Sequence, residues 1–278
     1  MTLEDRVNPW LKTPFDEETR KKVKALYRYP NELEDAFYKD LEFGTGGMRG
    51  VMGVGTNRVN KYTLGKSTQG LSIHLKKCNP KETVKTVIAY DSRHQSKQLA
   101  KVVADVFTAN NIECFLFSDL RPTPELSFAV RHLNAHCGIV ITASHNPPEF
   151  NGYKVYGKDG GQLVPPQDSE IIKEIQKTSF KEISFEGNDN LLNYIDNEID
   201  EAYHITVLKA AKMHELSKDK FRLVFTPIHG TSITALPQVL KKAGYQNVYI
   251  VSEQEKPNGA FPTVTSPNPE TEEALKMG

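Results

Sequence analysis

The stretch KTVIAYDSRHQSKQLAKVVADVFTANNIECFLF, Lys85 to Phe117, decides the fold class. Its opening, KTVIAYD (85–91), is a largely apolar run of strand length. SKQLAKVVADVFTANN (96–111) has apolar residues at helical spacing, with Ser96 as the expected cap and a polar Asn110-Asn111 end. IECFLF (112–117) is a second short apolar run, read as a strand. The same alternation continues through TPELSFAVRHLNA (123–135), a helix with Thr123 as cap and Pro124 in its first turn, to the strand CGIVITA (137–143). Strands alternating with helices of this length predict an α/β fold: a three-layer α/β/α arrangement around a mixed, mostly parallel sheet.

Upstream, residues 16–42 read as helix, broken by Pro30. FGTGGMRGVMGVGTNRVN (43–60) holds six glycines and reads as a loop or a loose pair of strands, followed by a helix over 62–77. Downstream, NGYKVYG (151–157) reads as a short strand and 165–179 as a helix opened by prolines. Residues 182–190 read as a strand leading to a connection, and 191–216 as one long amphipathic helix. FRLVFTPIHGTS (221–232), ITALPQVLKKAGY (233–245) and NVYIVS (247–252) then restart the strand–loop–helix–strand order. The expected organisation is a first domain over 1–195 and an incomplete second α/β domain of similar type over 196–278.

The totals narrow the function. The 278 residues are 38% hydrophobic and 25% charged, with 35 basic and 35 acidic side chains. Zero formal net charge argues against a general nucleic-acid binder. No apolar run approaches the length of a membrane span, and the N-terminus lacks a signal-peptide apolar core. Cys78, Cys114 and Cys137 have neither CxxC spacing nor a disulfide framework, and Cys114 and Cys137 read as core residues. A reducing cytoplasm fits this composition.

Ligands of such sheets collect at the carboxyl ends of strands. Two segments fall there, YDSR (90–93) and TASHNP (142–147). Ser144 follows an apolar strand, and Asn146-Pro147-Pro148 forces a turn behind it, so a nucleophilic hydroxyl is one reading and a capping serine the other. A hydrolase needs a histidine within reach of Ser Oγ and a carboxylate behind it. His145 is adjacent, where neighbouring side chains usually diverge, and no GxSxG elbow is present. Phosphate chemistry fits better. The glycine-rich GTGGMRG can offer backbone N–H groups, and Arg49 a planar fork for phosphate oxygens. Lys154, ten residues after Ser144, could exchange a proton beside a phosphate. Asp91-Ser92-Arg93 reads as a helix-capping turn with a local ion pair, and His229 as structural. Asp189, Asp196 and Asp200 read as a solvated face, and the remaining histidines show no ligand spacing.

TASHNP with NGYK a few residues on resembles the phosphoserine loop of the α-D-phosphohexomutases, the phosphoglucomutase/phosphomannomutase family. FGTGGMRG is similar to that family's N-terminal active-site loop, and YDSR, PTP (122–124), TPIHG (226–230) and SPNPE (266–270) resemble further landmarks in the same order. NPWL and the helices after it resemble the longer phosphoglucomutases that include phosphopentomutase-type relatives. The resemblance implies that Ser144 carries a phosphoryl group with Mg²⁺ on one of its oxygens. It implies a hexose 1-phosphate substrate that passes through a 1,6-bisphosphate, with glucose 1,6-bisphosphate as activator. Lys154 and Arg49 would assist proton transfer and hold charge, and His145 and Asn146 would fix the serine loop. Thr45, Gly46, Gly47 and Arg93 would join Asn146 in binding substrate phosphate.

Family members run to four domains and about twice this length. Their metal-binding DGDxDR loop lies beyond the PNPE landmark and does not occur here. The expectation is therefore an N-terminal fragment, separated from C-terminal domains of its own chain. It would hold Ser144 but lack the other metal ligands, and would turn over poorly or not at all. Glucose, mannose and pentose specificity stay open. Two other functions are weighed, a sugar-phosphate-binding module without turnover and a serine esterase.

Overall fold

In the computed structural model, residues 2–211 and 218–278 are described. The chain begins with α1 (Leu3–Val7), a 3-10 turn (Asn8–Leu11), α2 (Glu17–Leu26) and α3 (Pro30–Phe37). Asp16 caps α2 by accepting from the Thr19 N–H at 2.7 Å, as its acidic first turn suggests. Trp10, stacked on Phe15 at 4.2 Å, packs with Phe37 and Tyr62 and fastens this extension to the body. The extension therefore delivers the glycine-rich segment to the sheet at a fixed place.

The body comprises β1 (Gly47–Val51), α4 (Lys61–Cys78), β2 (Lys85–Tyr90), α5 (Ser96–Ala109), β3 (Glu113–Phe117), α6 (Thr123–His132), β4 (Cys137–Ile141), β5 (Phe150–Gly157), α7 (Gln167–Lys177) and β6 (Leu192–Ile195). The six strands lie in the order β1-β5-β4-β2-β3-β6. β4, β2, β3 and β6 are mutually parallel, and β5 runs antiparallel between β4 and β1. Side-chain alternation along the strands divides the core into two layers. Ile88 and Tyr90 join Leu99, Val103, Phe107 and Ile175 on one face. Val87 and Ala89 join Leu126, Val130 and Val140 on the other. A large side chain buried this fully stabilises the fold by roughly 1.5–3 kcal/mol over exposure. Cys114 and Cys137 are buried in the first layer.

After β6 come α8 (Asn197–Ala210), β7 (Arg222–Phe225), α9 (Leu236–Lys242), β8 (Asn247–Ile250), α10 (Ser252–Glu255) and α11 (Glu272–Leu275). β7 and β8 pair in parallel, and Ile228, Phe261, Val264 and Ala274 form a small core beside them. The architecture is thus a three-layer α/β/α sheet domain followed by a second, smaller α/β unit.

Several expectations need correction. Residues 182–190 form no strand, and the helix expected over 191–216 begins only at Asn197. Leu192–Ile195 instead become β6, because they find free backbone partners along Cys114–Phe117. Residues 212–217 lie outside the described residues. Ser96 and Thr123 are first helical residues rather than caps; their cap positions are Gln95 and Pro122. Asp196 and Asp200 are not simply solvated: both hold the buried Arg121, Asp200 through two hydrogen bonds of 2.8 and 2.9 Å. Asp189 alone of the three stays on the exposed surface.

Candidate active site

Sheet order explains why residues a hundred positions apart meet. β1, β5 and β4 are neighbours, so Gly47 lies opposite Lys154, and Lys154 opposite Val140. The glycine segment, Lys154 and the serine loop therefore share one rim. Gly44 and Gly47 close a tight turn by exchanging hydrogen bonds of 2.8 and 3.1 Å. Gly47 has φ +146°, and a Cβ there would come within 2.1 Å of the Tyr153 carbonyl, so no other residue fits. The N–H groups of Thr45 and Gly46 make no hydrogen bond among the described residues and remain available to an anion.

Ser144 lies three residues beyond the end of β4 and is exposed. Its backbone is left-handed, φ +58°, which a residue with a Cβ adopts only when its surroundings hold it there. Two contacts do so. The Ser144 N–H donates to Thr142 Oγ1 at 2.9 Å, and its carbonyl accepts from Arg93 Nη2 at 2.9 Å. Arg49, on β1, donates to Asn146 Oδ1 at 2.7 Å and ties the glycine segment to the serine loop.

Arg93 does not do what was expected of it. Its side chain is 0% exposed, and its guanidinium donates to the carbonyls of Ser144, Asn146, Pro147 and Phe150. It braces the serine loop from behind and has no surface to offer a phosphate. Its partner Asp91, 3.5 Å from Nε, also accepts from Ser96 Oγ and the Arg93 N–H. Burial raises the Asp91 pKa, against the opposing hydrogen bonds from Thr142 and Ser96.

His145 also departs from expectation. Its Nδ1 lies 3.4 Å from Ser144 Oγ, so the adjacent side chains converge. No carboxylate bonds to its ring among the described residues, so the third member of a hydrolytic triad is missing. His229 is structural, as read: it is buried, with Nδ1 3.0 Å from the Lys256 carbonyl and Nε2 2.9 Å from Thr263 Oγ1.

Two hollows flank the loop. One, about 510 Å³, is lined by Thr45, Gly46, Gly47, Arg49, Thr142 and Lys154. The other, about 400 Å³, is lined by Ser144, His145, Asp91 and residues of the Thr226–Ser232 turn. Thr142 lines both. The structure thus brings the expected residues to one rim but divides them between two lobes. Lys154 is half-buried; burial, then the nearby Arg49 charge, lowers its pKa below that of an ordinary lysine. Thr142 was missed from sequence, although a hydroxyl two residues before a strained turn residue is a familiar side-chain turn brace.

Comparison with known proteins places these features. Residues 40–182 match the family model for phosphoglucomutase/phosphomannomutase, alpha/beta/alpha domain I, and residues 201–278 match that for domain II. A phosphoglucomutase of Staphylococcus saprophyticus is 37% identical over 267 residues, covering 92% of this chain and 47% of its own. One from Staphylococcus aureus is 36% identical over 271 residues, covering 91% and 46%. A Thermus thermophilus crystal structure, described as a candidate phosphomannomutase, superposes with a TM-score of 0.70 at 25% identity, covering 84% of this chain and 50% of that one. The chain spans about half the length of the curated relatives it matches. With both domain models matched in order and the serine loop, glycine turn and Lys154 on one rim, the chain belongs to the phosphoglucomutase/phosphomannomutase family.

Proposed function

We propose that this chain carries the phosphoryl-accepting serine of a phosphoglucomutase-type intramolecular phosphotransferase, an isomerase of hexose 1- and 6-phosphates. The observation that carries the reading is Ser144, exposed on left-handed backbone and tied through Asn146 to Arg49. In the forward half-reaction a sugar hydroxyl oxygen bonds to the phosphorus on Ser144. The P–Oγ bond breaks with its electron pair going to Oγ, and the hydroxyl proton is handed through a basic group to Oγ, leaving Ser144 as the free alcohol. The sugar 1,6-bisphosphate so formed turns over and returns its other phosphate to Ser144. Lys154, with its lowered pKa, suits the proton exchange. Arg49 and the free N–H groups of Thr45 and Gly46 suit the phosphate oxygens. The proposed domain boundary falls at residues 195–196, after the last strand of the first sheet.

Mg²⁺ was expected on the phosphorylated Ser144. A hard dication takes about six oxygen ligands. Among the described residues no group of three His, Cys, Asp or Glu side chains is placed to hold one, and Asp91 is engaged by Ser96 and Arg93. The side chains among the described residues do not make up a magnesium site. No helix among the described residues is long and apolar enough to cross a membrane.

Peptide mass spectrometry of the protein recovered from cells tests the reading: phosphoserine is expected at Ser144. An unmodified Ser144 that reacts instead with a fluorophosphonate probe would transfer this serine to the esterase reading. A chain that binds sugar phosphate equally well as Ser144→Ala, with no phosphoserine, would leave a binding module.

A further inference from the structure

Four of the seven non-glycine residues with left-handed backbone among the described residues lie along one seam: Ser144, Ile228, His229 and Phe261. Three belong to the second unit, and the functional reading above uses none of those three. Backbone strain of this kind persists only where surrounding contacts over-determine it, and it concentrates at functional sites.

The contacts here form one connected path. His229 ties its turn to the segment 256–264: its ring meets the Lys256 carbonyl and Thr263 Oγ1, and its own carbonyl accepts from the Asn258 N–H at 3.1 Å. That segment lies directly on the loop after β2. A Cβ on Gly259 would come within 2.5 Å of the His94 nitrogen and 2.9 Å of the Arg93 carbonyl carbon, so only glycine permits the approach. Phe261, 4% exposed, places its ring 5.1 Å from Arg93 Cζ. Arg93 in turn holds four serine-loop carbonyls, including that of Ser144. A second link runs past it, from Ser266 Oγ to the His145 carbonyl at 3.2 Å.

We infer that Phe261 is a positioning residue for Ser144: its ring on the Arg93 guanidinium lets the second unit hold the serine loop in its strained form. Arg93 can brace the loop only while its guanidinium plane is turned so that its edge N–H groups meet these carbonyls. A ring on its free face fixes that plane by packing and by cation–π attraction. The effect on phosphoryl transfer rests on the reading of Ser144 as the carrier, whereas the effect on the loop does not.

Hydrogen exchange followed by mass spectrometry tests the loop directly. The amides to follow are Ser144, Asn146 and Phe150, bonded respectively to Thr142 Oγ1 and to the carbonyls of Ala143 and Pro147. Phe261→Leu keeps apolar bulk and loses the aromatic face. It should speed exchange of these amides about fivefold while peptides from β2 and β4 stay unchanged. Phe261→Tyr keeps the aromatic face on Arg93, so it should restore protection to within about twofold. Unchanged exchange in Phe261→Leu, or an equal rise in β2 and β4, overturns the inference. A parallel measurement of Ser144 labelling by a sugar bisphosphate separates the two claims. If the unaltered chain takes no label, the carrier reading fails and the exchange result stands alone. If it labels, and Phe261→Leu labels equally fast, the link from loop to chemistry fails.

Discussion

The cleft lowers the pKa of Lys154. Burial first, and then the Arg49 charge, favour its neutral form, while Asp91 opposes them. A lysine displaced in this direction exchanges protons nearer neutral pH than a surface lysine does. Lys154→Met should slow phosphoryl transfer to Ser144 by about 10²–10⁴-fold. Arg49→Gln removes a neighbouring positive charge, so the Lys154 pKa should rise and the pH–rate profile of transfer should shift to higher pH. A shift to lower pH, or none, would remove Lys154 from the proton-exchange role. At this scale the sequence singled out Ser144, Arg49, Lys154 and the glycine turn as candidates, because each has a side-chain chemistry or a glycine that marks it, and the fold brings them to one rim. It could not reveal Arg93 as a brace. Its partners are carbonyls 51 to 57 positions away, and a carbonyl has no residue signature.

The docking of α8 on α6 depends on a cluster the sequence also concealed. Arg121 lies between Asp196, Asp200 and Glu125, with His204 and Tyr203 close by on α8. Glu125 is 1% exposed; burial, and then Asp200, push its carboxyl up to about 8. The sign follows from linkage. The folded chain holds this proton more tightly than the unfolded chain does, so the contribution is full below the usual glutamate range and is lost as pH rises through about 8. Urea unfolding should show stability falling by on the order of 2 kcal/mol between about pH 5 and about pH 9. Glu125→Gln, an amide that needs no proton to stay neutral, should flatten most of that slope. An unchanged slope would move its origin elsewhere. The elements themselves were readable wherever an apolar run had a clear period, as in β2, α5 and β3. β6 was not, because LLNYIDNEIDEAYH keeps helical spacing straight through it. Only the open edge of β3, a long-range partner, makes Leu192–Ile195 a strand.

Across the whole molecule, the first sheet carries the serine loop and the second unit packs against the Arg93 that braces it. Order along the chain revealed the two α/β units, since the strand–loop–helix–strand pattern visibly restarts. How closely they meet was hidden, because Gly259 and Phe261 act through proximity to Arg93 rather than through any motif. The chain spans about half the length of the relatives it matches. The central claim is that Ser144 accepts a phosphoryl group. It is tested most directly by incubating the chain with Mg²⁺ and glucose 1,6-bisphosphate carrying labelled phosphate, then mapping the label. The account predicts label on Ser144, slow in accumulating, absent in Ser144→Ala and strongly reduced in Lys154→Met. No label after prolonged incubation, or label on a different residue, would contradict it.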